Sequence, residues 1–600
     1  MCGIAGVLSA AGDARRLTSP VDAMRAALRH RGPDDEGQWC APGGGATFAH
    51  TRLSILDLTP AGHQPMSIAD GRFTITFNGE ILNFRELRRS LEQRGATFHT
   101  RSDTEVILRA YEADGPACVE QLRGMFALAL WDERDRTCLL ARDRFGIKPL
   151  YYHADGGRLV FASEVRALIA SGLVPRDLDP EGVYEYFRTG TVPEPRTLLR
   201  GVSCLGAGQY GLWRDGAVTT QCYWRLRFEP RTLTYPEAVT ETRRALLDSV
   251  DHHFISDTPV GVFLSGGVDS TALVALATTA GQRDLRTFAL TFPGSPFDEG
   301  PAARRTAARF GTRHDEWAID GRTAKELFAQ YLRASDQPSI DGLNTFAVSK
   351  FARDSGVKVV LSGLGGDELF GGYKSFDEVP WLAAWNRRMS YGGPLRTTLG
   401  KGIERVARTA RWRRVGDLLS QPPALATVYS TFRGIYTRAE AHALAERYTG
   451  ASPSDHRPTD ADGGQDPTDR DAVSRLELTR YMRNQPLRDS DTMSMAWGLE
   501  LRVPFLDSVV ISTVSAIPAA QRLRPHKGLL LDAVPEIPDW VANQPKRGFM
   551  FPFQQWLNDE WRDVFAEIDR TSPVPAETWY RKWCVFVLDR WIDGLNRSRQ

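Results

Sequence analysis

The sequence has few cysteines for its length and no pattern that pairs them. Only seven of its 600 residues are cysteine, and they are scattered without a repeated spacing. An odd, dispersed set argues against a disulfide framework and indicates reduced thiols, as in cytosolic proteins. Neither a Cys-x-x-Cys pair nor a His-Glu-x-x-His segment occurs, which argues against a structural or catalytic zinc site.

The sequence also lacks an excess of charge and any long apolar run. A formal net charge of +1 gives no electrostatic basis for nucleic acid or an anionic membrane as the main partner. The basic cluster 408–414 stands alone, so we interpret it as a solvated helix face. No apolar stretch approaches the roughly 20 residues that span a bilayer, and the N-terminus lacks the basic segment of a signal peptide. We expect a cytoplasmic protein with small-molecule substrates and no nucleic acid or membrane partner; a homodimer is left open.

Two domains are predicted, because 600 residues exceed what a single core usually supports. Residues 1–205 show short strand patterns with two helical patterns between them, which favours a layered α+β domain. A Gly- and Trp-containing stretch at 206–235 is interpreted as a junction. From 236 to 600, strands alternate with helices, which predicts a doubly wound α/β domain with a parallel sheet. The Pro-, Gly- and Ser-rich stretch 451–471 is predicted to be a mobile loop.

The N-terminal cysteine carries the first candidate chemistry. Cys2 directly follows Met1, so removal of the methionine would leave a thiol and a free α-amine on one residue. With a pKa near 8, that amine can accept the thiol proton. Such a cysteine can attack an amide carbonyl and release ammonia.

Four further residues in this half have side chains or backbone groups that suit a glutamine site. The Arg52 guanidinium can bind a carboxylate with two hydrogen bonds. The Asn78 amide and the Gly79 N–H can donate to an oxyanion, and Asp103 can pair with an α-ammonium. Taken singly, the more ordinary interpretations are a surface ion pair, a turn and a helix N-cap.

Together these residues lie in segments that resemble class II glutamine amidotransferases, whose layered fold is that of N-terminal nucleophile (Ntn) hydrolases. The matching segments are Cys2-Gly-Ile-Ala-Gly, Arg29-His-Arg-Gly-Pro-Asp34, 50–55, Phe77-Asn-Gly-Glu80, Gly124-Met-Phe-Ala127 and Arg142-Asp-Arg-Phe-Gly146. The resemblance implies Cys2 as nucleophile, Asn78 and Gly79 as the oxyanion hole, and Arg52 and Asp103 as the groups that hold glutamine.

A glycine-rich loop in the second half carries the next candidate chemistry. Leu264-Ser-Gly-Gly-Val-Asp-Ser270 follows an apolar strand pattern and opens a helical one. Two glycines let backbone N–H groups turn toward an anion, and the helix N-terminus adds its dipole. Asp269 can hold Mg²⁺ on phosphates, but the Walker A spacing and lysine are missing. The loop looks like the pyrophosphate-binding loop of enzymes that split ATP into AMP and pyrophosphate.

A second glycine-rich segment, Leu361-Ser-Gly-Leu-Gly-Gly-Asp-Glu368, follows another predicted strand. Its Ser362 and Gly363 would lie at the carboxyl edge of the sheet, where ligands of open α/β folds bind. Asp367 is a candidate second Mg²⁺ ligand. Lys546 is a candidate catalytic group that neutralises charge on the departing pyrophosphate. Glu500, Arg502 and Asp507, in 493–507, are interpreted as structural ion pairs.

These segments resemble the synthetase domain of glutamine-hydrolysing asparagine synthetases, and the likeness covers nearly the whole chain. It implies that MgATP activates a carboxylate as an acyl-adenylate, and that ammonia from glutamine reaches it through an internal tunnel and displaces AMP. The implied ATP-binding set is Leu264, Ser265, Gly266, Gly267, Asp269, Ser270, Leu290, Ser362 and Gly363.

The resemblance breaks at Leu364. Many asparagine synthetases have an acidic residue there, which could position or deprotonate the incoming amine. Leucine can do neither, so another acid, a backbone group or a water must serve, or the acceptor differs. Aspartate, a larger carboxylate of a specialised pathway and a cell-wall precursor all stay open.

Three other functions are possible for parts of this pattern, and the residues present argue against each. Ring-closing synthetases of the same fold typically lose the N-terminal cysteine, which is present here as Cys2. A tRNA-modifying ATP pyrophosphatase would need a basic surface and sulfur-handling cysteines, and neither stands out. A non-catalytic glutamine or ATP sensor would not need both Cys2 and Asp269.

Overall fold

The structure is a computed structural model, which describes residues 2–389, 393–454, 466–544, 551–558 and 561–597. Lys546 and residues 455–465 of the predicted loop lie outside the described residues. The strands are β1 Gly3–Ser9, β2 Asp35–Cys40, β3 Ala46–Arg52, β4 Met66–Ile68, β5 Phe73–Ile81, β6 Gly124–Asp132, β7 Thr137–Arg142, β8 Tyr151–Asp155, β9 Arg158–Ala162, β10 Val202–Cys204, β11 Gln209–Arg214, β12 Ala217–Cys222, β13 Val260–Phe263, β14 Arg286–Thr291, β15 Arg313–Ala318, β16 Val359–Leu361 and β17 Glu500–Arg502.

The helices are concentrated in the second half of the chain. They are α1 Thr18–Ala27, α2 Phe84–Gln93, α3 Asp103–Asp114, α4 Val165–Ala170, α5 Pro180–Thr189, α6 Tyr235–His253, α7 Val268–Thr279, α8 Gly300–Phe310, α9 Gly321–Ala334, α10 Leu343–Asp354, α11 Gly366–Phe370, α12 Ser375–Arg388, α13 Gly393–Val406, α14 Ala410–Leu419, α15 Leu425–Arg433, α16 Arg438–Thr449, α17 Asp469–Leu476, α18 Arg488–Met495, α19 Ser508–Ser515, α20 Ala519–Arg522, α21 Gly528–Ala533, α22 Asp539–Ala542, α23 Phe553–Asn558, α24 Arg562–Phe565, α25 Ile568–Thr571 and α26 Trp579–Arg597.

Two antiparallel six-stranded sheets form the first domain. Their strand orders are β10-β8-β9-β1-β3-β2 and β12-β11-β7-β6-β5-β4. One apolar cluster lies between the sheets and includes Ile4, Phe48 and Trp131. Helices α1 and α4 cover the first sheet, and α2 and α3 cover the second. Every residue of β1 is buried, because this strand is covered on both faces. The α+β Ntn-type layered fold is confirmed.

Part of the predicted junction belongs to this sheet structure. β11 pairs with β7, and β12 pairs with β11, so 209–222 extends the second sheet. The next helix, α6, begins after a capping box between Thr234 and Glu237, with Pro236 in its first turn. The domain boundaries at 205 and 235 stay predictions.

The second domain is built on a five-stranded parallel sheet with the order β15-β14-β13-β16-β17. The α/β doubly wound prediction is confirmed. Chain order runs outward from β13 in both directions, through β14 and β15 on one side and β16 and β17 on the other. The carboxyl ends of β13 and β16 therefore meet at a topological switch point, where open α/β sheets bind ligands.

The basic cluster 408–414 only partly matches its interpretation as a solvated face. Trp412 on α14 is 59% exposed. Arg413 is buried instead and forms ion pairs with Glu440 and Glu577. Burial of a guanidinium requires such partners. In the described part of the chain, no helix is long and apolar enough to cross a membrane.

Candidate active sites

Cys2 lies at the start of the central strand of the first sheet. Gly3 pairs with Thr51, which brings Cys2 beside the end of β3. The side chain is buried, and burial raises the pKa of the Cys2 thiol; Glu80 acts in the same direction, whereas the Leu53 N–H and Arg52 act in the opposite one. A thiol with a raised pKa needs a base to become a nucleophile.

Asn78 and Gly79 come from the second sheet, and Asn78 contacts this cysteine. The Cys2 N–H donates to the Asn78 Oδ1 atom at 2.9 Å. The Asn78 Nδ2 atom is buried without a hydrogen-bond partner within the described residues. Gly79 has φ of 153°, and a Cβ there would lie 2.1 Å from the Met125 carbonyl oxygen. A buried, unused donor beside a thiol matches the requirement of an oxyanion hole.

Arg52 is held in place by a loop that wraps its guanidinium. It donates to the carbonyl oxygens of Thr59 at 3.0 Å, Leu56 at 3.3 Å and Asp57 at 2.5 Å. Gly62 lies against the same group, because an added Cβ there would be 2.0 Å from the Arg52 Nη2 atom. No local pattern marks Gly62, since the requirement for glycine arises only from this close approach.

Asp103 is joined to the same strand as Asn78 and Gly79. Its Oδ2 atom accepts a hydrogen bond from the Ile81 N–H at 3.0 Å. The helix N-cap is Ser102, whose hydroxyl accepts from the Thr104 N–H, so Asp103 is not itself the cap. Burial raises the pKa of Asp103 to about 6. An ammonium partner would favour its charged form.

A buried ion network joins this site to the second domain. The Arg31 Nε atom donates to the Cys2 carbonyl oxygen at 3.0 Å. The other guanidinium nitrogens bind Glu164 at 2.8 Å and Asp491 at 2.7 Å, and Lys148 lies 3.3 Å from Asp491. Asp491 is on α18 of the second domain. The sequence placed Arg31 in a matching segment but could not show its partner 460 residues away.

A second set of interdomain contacts lies nearby. Glu500 and Arg502, on β17, are both buried and lie 2.5 Å apart, and Glu80 lies 3.9 Å from Arg502. Burial opposes ionisation of Glu500, but the nearby positive charges, Arg502 first and Lys148 with it, together outweigh burial, and the pKa of Glu500 falls to about 2. Asp507 binds Arg123 at 3.0 Å. These three residues form ion pairs, as interpreted, and two of the pairs cross between the domains.

The Ser-Gly-Gly-Val-Asp-Ser loop forms the turn from β13 to α7. The Ser265 and Ser270 hydroxyls lie 3.1 Å apart, and the Gly267 N–H donates to the Ser265 hydroxyl at 3.3 Å. Gly266 has φ of 76°, and a Cβ there would lie 2.7 Å from the Ala303 nitrogen. The left-handed turn packed against α8 therefore requires glycine.

The second glycine-rich segment lies directly against this loop. The Ser362 N–H donates to the Arg502 carbonyl oxygen at 2.9 Å. A Cβ at Gly363 would lie 2.9 Å from the Asp269 Cβ atom, and a Cβ at Gly366 would lie 2.5 Å from the Asp269 Oδ1 atom. The glycines thus let the two turns approach until Asp269 and Asp367 face one space.

A lysine that the sequence analysis missed contacts both carboxylates. The Lys527 Nζ atom lies 2.6 Å from both carboxylate oxygens of Asp269 and also contacts Asp367. Two convergent carboxylates suit Mg²⁺, which is usually held by one or two protein carboxylates plus phosphates and water. No group of three or more His, Cys, Asp or Glu side chains suited to a metal occurs in the described ranges.

A cavity of about 1390 Å³ opens above this edge of the sheet. All the predicted nucleotide and metal residues that the structure describes line it, except Gly266: these are Leu264, Ser265, Gly267, Asp269, Ser270, Leu290, Ser362, Gly363 and Asp367. Leu364 lines the same cavity. Single-ligand sites usually have volumes of about 300–1,000 Å³, so this cavity has room for more than one substrate.

Charged groups that sequence reasoning missed also line this cavity. They include the basic residues Arg188, Arg433, Arg438, Arg480 and Arg483 and the acids Asp341 and Asp489. Asp489 is buried and accepts a hydrogen bond from the Ser339 hydroxyl at 2.5 Å; burial raises the pKa of Asp489 to about 8. A π-helical segment, Glu477–Leu487, carries two of these arginines, Arg480 and Arg483, and such segments often occur at functional sites.

Comparison with known proteins identifies both domains. The family described as "Glutamine amidotransferase domain" matches residues 1–224, and the family described as "Asparagine synthase" matches residues 241–593. Asparagine synthetase [glutamine-hydrolyzing] 1 of Bacillus subtilis (strain 168) is 34% identical over 616 residues, covering 100% of this chain and 95% of the relative.

Two further relatives are similar over most of their length. The putative asparagine synthetase [glutamine-hydrolyzing] of Mycobacterium tuberculosis H37Rv is 36% identical over 88% of this chain and 83% of the relative. Amidase chry2 of Gibberella zeae is 27% identical over 95% of this chain and 91% of the relative. The chain therefore belongs to the glutamine-hydrolysing asparagine synthetase family and is a glutamine-dependent, ATP-using ligase.

Proposed function

We propose that the chain transfers the amide nitrogen of glutamine to a carboxylate that it has adenylated with MgATP. The main support for the proposal is the buried ion network of Arg31, which connects the Cys2 site with the helix that lines the nucleotide cavity. Arg31 contacts the Cys2 carbonyl at one end and Asp491 at the other. Asp489 and Ser490, neighbours of Asp491 on α18, line the nucleotide cavity.

In the first half-reaction, the N-terminal amine left by removal of Met1 takes the Cys2 thiol proton. The thiolate attacks the glutamine amide carbon, and Asn78 Nδ2 and Gly79 N–H stabilise the oxyanion. Collapse returns the proton to the leaving nitrogen, releases ammonia and leaves a thioester, which water hydrolyses to glutamate. Arg52 and Asp103 hold the substrate carboxylate and ammonium, and Asp103 needs to be charged to do so.

In the second half-reaction, an oxygen of the acceptor carboxylate attacks the α-phosphorus of ATP, and pyrophosphate leaves. Ser265, Ser270 and the adjoining N–H groups bind phosphate oxygens at the α7 N-terminus. Asp269 and Asp367 would hold Mg²⁺, which supplies neutralising charge to the phosphates. Lys546 remains the candidate for the leaving pyrophosphate. Ammonia attacks the acyl carbon, loses one proton, and AMP leaves.

A sealed route for ammonia is part of the proposal, because ammonia released into neutral water would become ammonium and lose its nucleophilic lone pair. An apolar interdomain cluster supports such a route. Leu53 and Ile55, next to Arg52, pack with Val359 at the base of β16 and Met495 at the end of α18. An apolar lining offers ammonia no proton donor.

The acceptor is proposed only as a class. Leu364 contributes no charge, and Asp489, an acid that lines the same cavity, can take its place in accepting the proton from attacking ammonia. A pKa near 8 makes Asp489 a stronger base than an ordinary carboxylate. Three of the arginines that line the cavity, Arg188, Arg433 and Arg438, are already paired with Asp417 or Glu477, so they do not define the charge of the acceptor. Acceptor-dependent AMP formation with glutamine, MgATP and a panel of acids that includes aspartate and larger carboxylates distinguishes the candidates.

Replacement of Cys2 by Ala should separate the two sites. C2A should lose glutamine-dependent product formation but keep synthesis from an added ammonium salt at the wild-type level, because only the ammonia source is removed. AMP and amide product are measured with each nitrogen donor. Cys40→Ala, at a half-buried thiol of the same domain, is the control. Equal loss with both donors would contradict the two-site proposal.

Replacement of Asp269 by Ala should remove ATP consumption. We expect pyrophosphate release to fall at least about 10²-fold, because a carboxylate that would hold the phosphate-neutralising Mg²⁺ is lost. Glutamine hydrolysis should survive in part, and both activities are assayed on the same preparation. Asp354→Ala, at an exposed carboxylate paired with Lys350, should leave both unchanged. Retention of pyrophosphate release in D269A would refute the assigned role.

Replacement of Gly62 by Ala should weaken glutamine binding through Arg52. The added methyl group displaces the guanidinium, and loss of a charged hydrogen-bonding contact costs about 1.5–3 kcal/mol. The KM for glutamine should therefore rise about 10- to 100-fold, while ammonium-dependent synthesis stays unchanged. Gly402→Ala, at a helical position with open space around it, is the control. An unaltered glutamine KM in G62A would show that Arg52 does not bind glutamine.

A further inference from the structure

Lys527 is placed where a cation is needed between two buried carboxylates. Its side chain is buried, and its ammonium contacts both oxygens of Asp269 and one oxygen of Asp367. These are the two carboxylates proposed above to hold Mg²⁺. The ammonium therefore lies between the groups that a divalent cation would also need.

The backbone at this lysine is unusual. His526 and Lys527 have φ of 57° and 58°, and Gly528 then begins α21. Two consecutive non-glycine residues in the left-handed region are uncommon and persist only where surrounding contacts hold them. The ion pairs with Asp269 and Asp367 are contacts of that kind, and they direct the side chain into the cavity.

The charges of Lys527 and the two carboxylates determine how a metal ion can enter the site. Without Lys527, two carboxylates would face each other in a buried space, which is costly. With Lys527 in place, a divalent cation that approaches the same oxygens meets an ammonium of like charge. The metal can enter at low cost only if the ammonium moves to another anion, and the phosphates of a bound nucleotide provide one.

We propose that Lys527 is a resident counter-ion, which neutralises Asp269 and Asp367 in the nucleotide-free enzyme and transfers to the phosphates when the magnesium–nucleotide complex binds. This inference rests on the proposed function of the cavity. It makes Lys527 a nucleotide-binding residue that couples metal binding to nucleotide binding. The nucleotide then strengthens metal binding by a certain factor, and by thermodynamic reciprocity the metal strengthens nucleotide binding by that same factor.

Mn²⁺ binding to the full chain, measured by electron paramagnetic resonance, tests the coupling without any turnover. The wild-type enzyme should bind Mn²⁺ weakly alone and more tightly with a non-hydrolysable ATP analogue. Lys527→Met should bind Mn²⁺ without the analogue more tightly than wild type, by about fivefold or more, the lower end of usual coupling factors. The same variant should bind the analogue more weakly, because its phosphate partner is lost.

Two variants serve as controls. Lys527→Arg keeps a cation at the site and should bind Mn²⁺ alone as weakly as wild type. Lys350→Met removes an ammonium that pairs with Asp354 on the surface and should change neither affinity. Glutamine hydrolysis and the thermal unfolding midpoint report whether each variant is folded.

The results separate this inference from the proposed function. If Lys527→Met and wild type bind Mn²⁺ equally without nucleotide, the role of Lys527 is wrong and the metal site stands. If wild type alone binds Mn²⁺ as tightly as with the analogue, the inference is wrong whether or not the variant folds. If wild type binds no Mn²⁺ even with the analogue, the proposed metal site fails, and the inference fails with it.

Discussion

The charge of Arg31 is the constraint on which the arrangement of the two domains depends. A fully buried guanidinium is tolerated only where anions and hydrogen-bond acceptors surround it. Here one partner, Glu164, comes from the same domain, and the other, Asp491, comes from the second domain. Neither domain alone completes the set of partners, so the ionic requirement of the first domain fixes a helix of the second.

That helix, α18, also sets the distance between the Cys2 site and the nucleotide cavity. Arg31 holds the Cys2 carbonyl, and α18 carries Asp491 toward Arg31 and Asp489 toward the nucleotide cavity. The apolar contact of Leu53 with Met495 lies alongside the same connection. For the proposed transfer of ammonia between the sites, a rigid, buried ion network keeps the two sites in a constant relative position better than a flexible linker would.

The features that the sequence predicted are those with local signals. The Ser265–Ser270 turn is encoded by adjacent residues, because a strand, two glycines and a helix start determine its shape. Cys2 was recognisable for the same reason: its chemistry depends only on its position. The strand alternation of 236–600 likewise predicted the parallel sheet. The inferences about the turn and about Cys2 needed only neighbouring residues, and the inference about the sheet needed only the order of strands and helices along the chain.

What escaped prediction depends on residues far apart in the chain. Lys527 has no local pattern, and its role appears only when two turns 98 residues apart bring Asp269 and Asp367 together. Gly62 is required because a Cβ there would clash with the guanidinium of Arg52. Arg413 is buried because it pairs with Glu440 and Glu577. Leu364 shows the converse case. The sequence revealed that an acid was missing there, but only the fold shows that Asp489, 125 positions later, faces the same cavity. Chemistry lost at one position can be supplied from another wherever both face the same substrate.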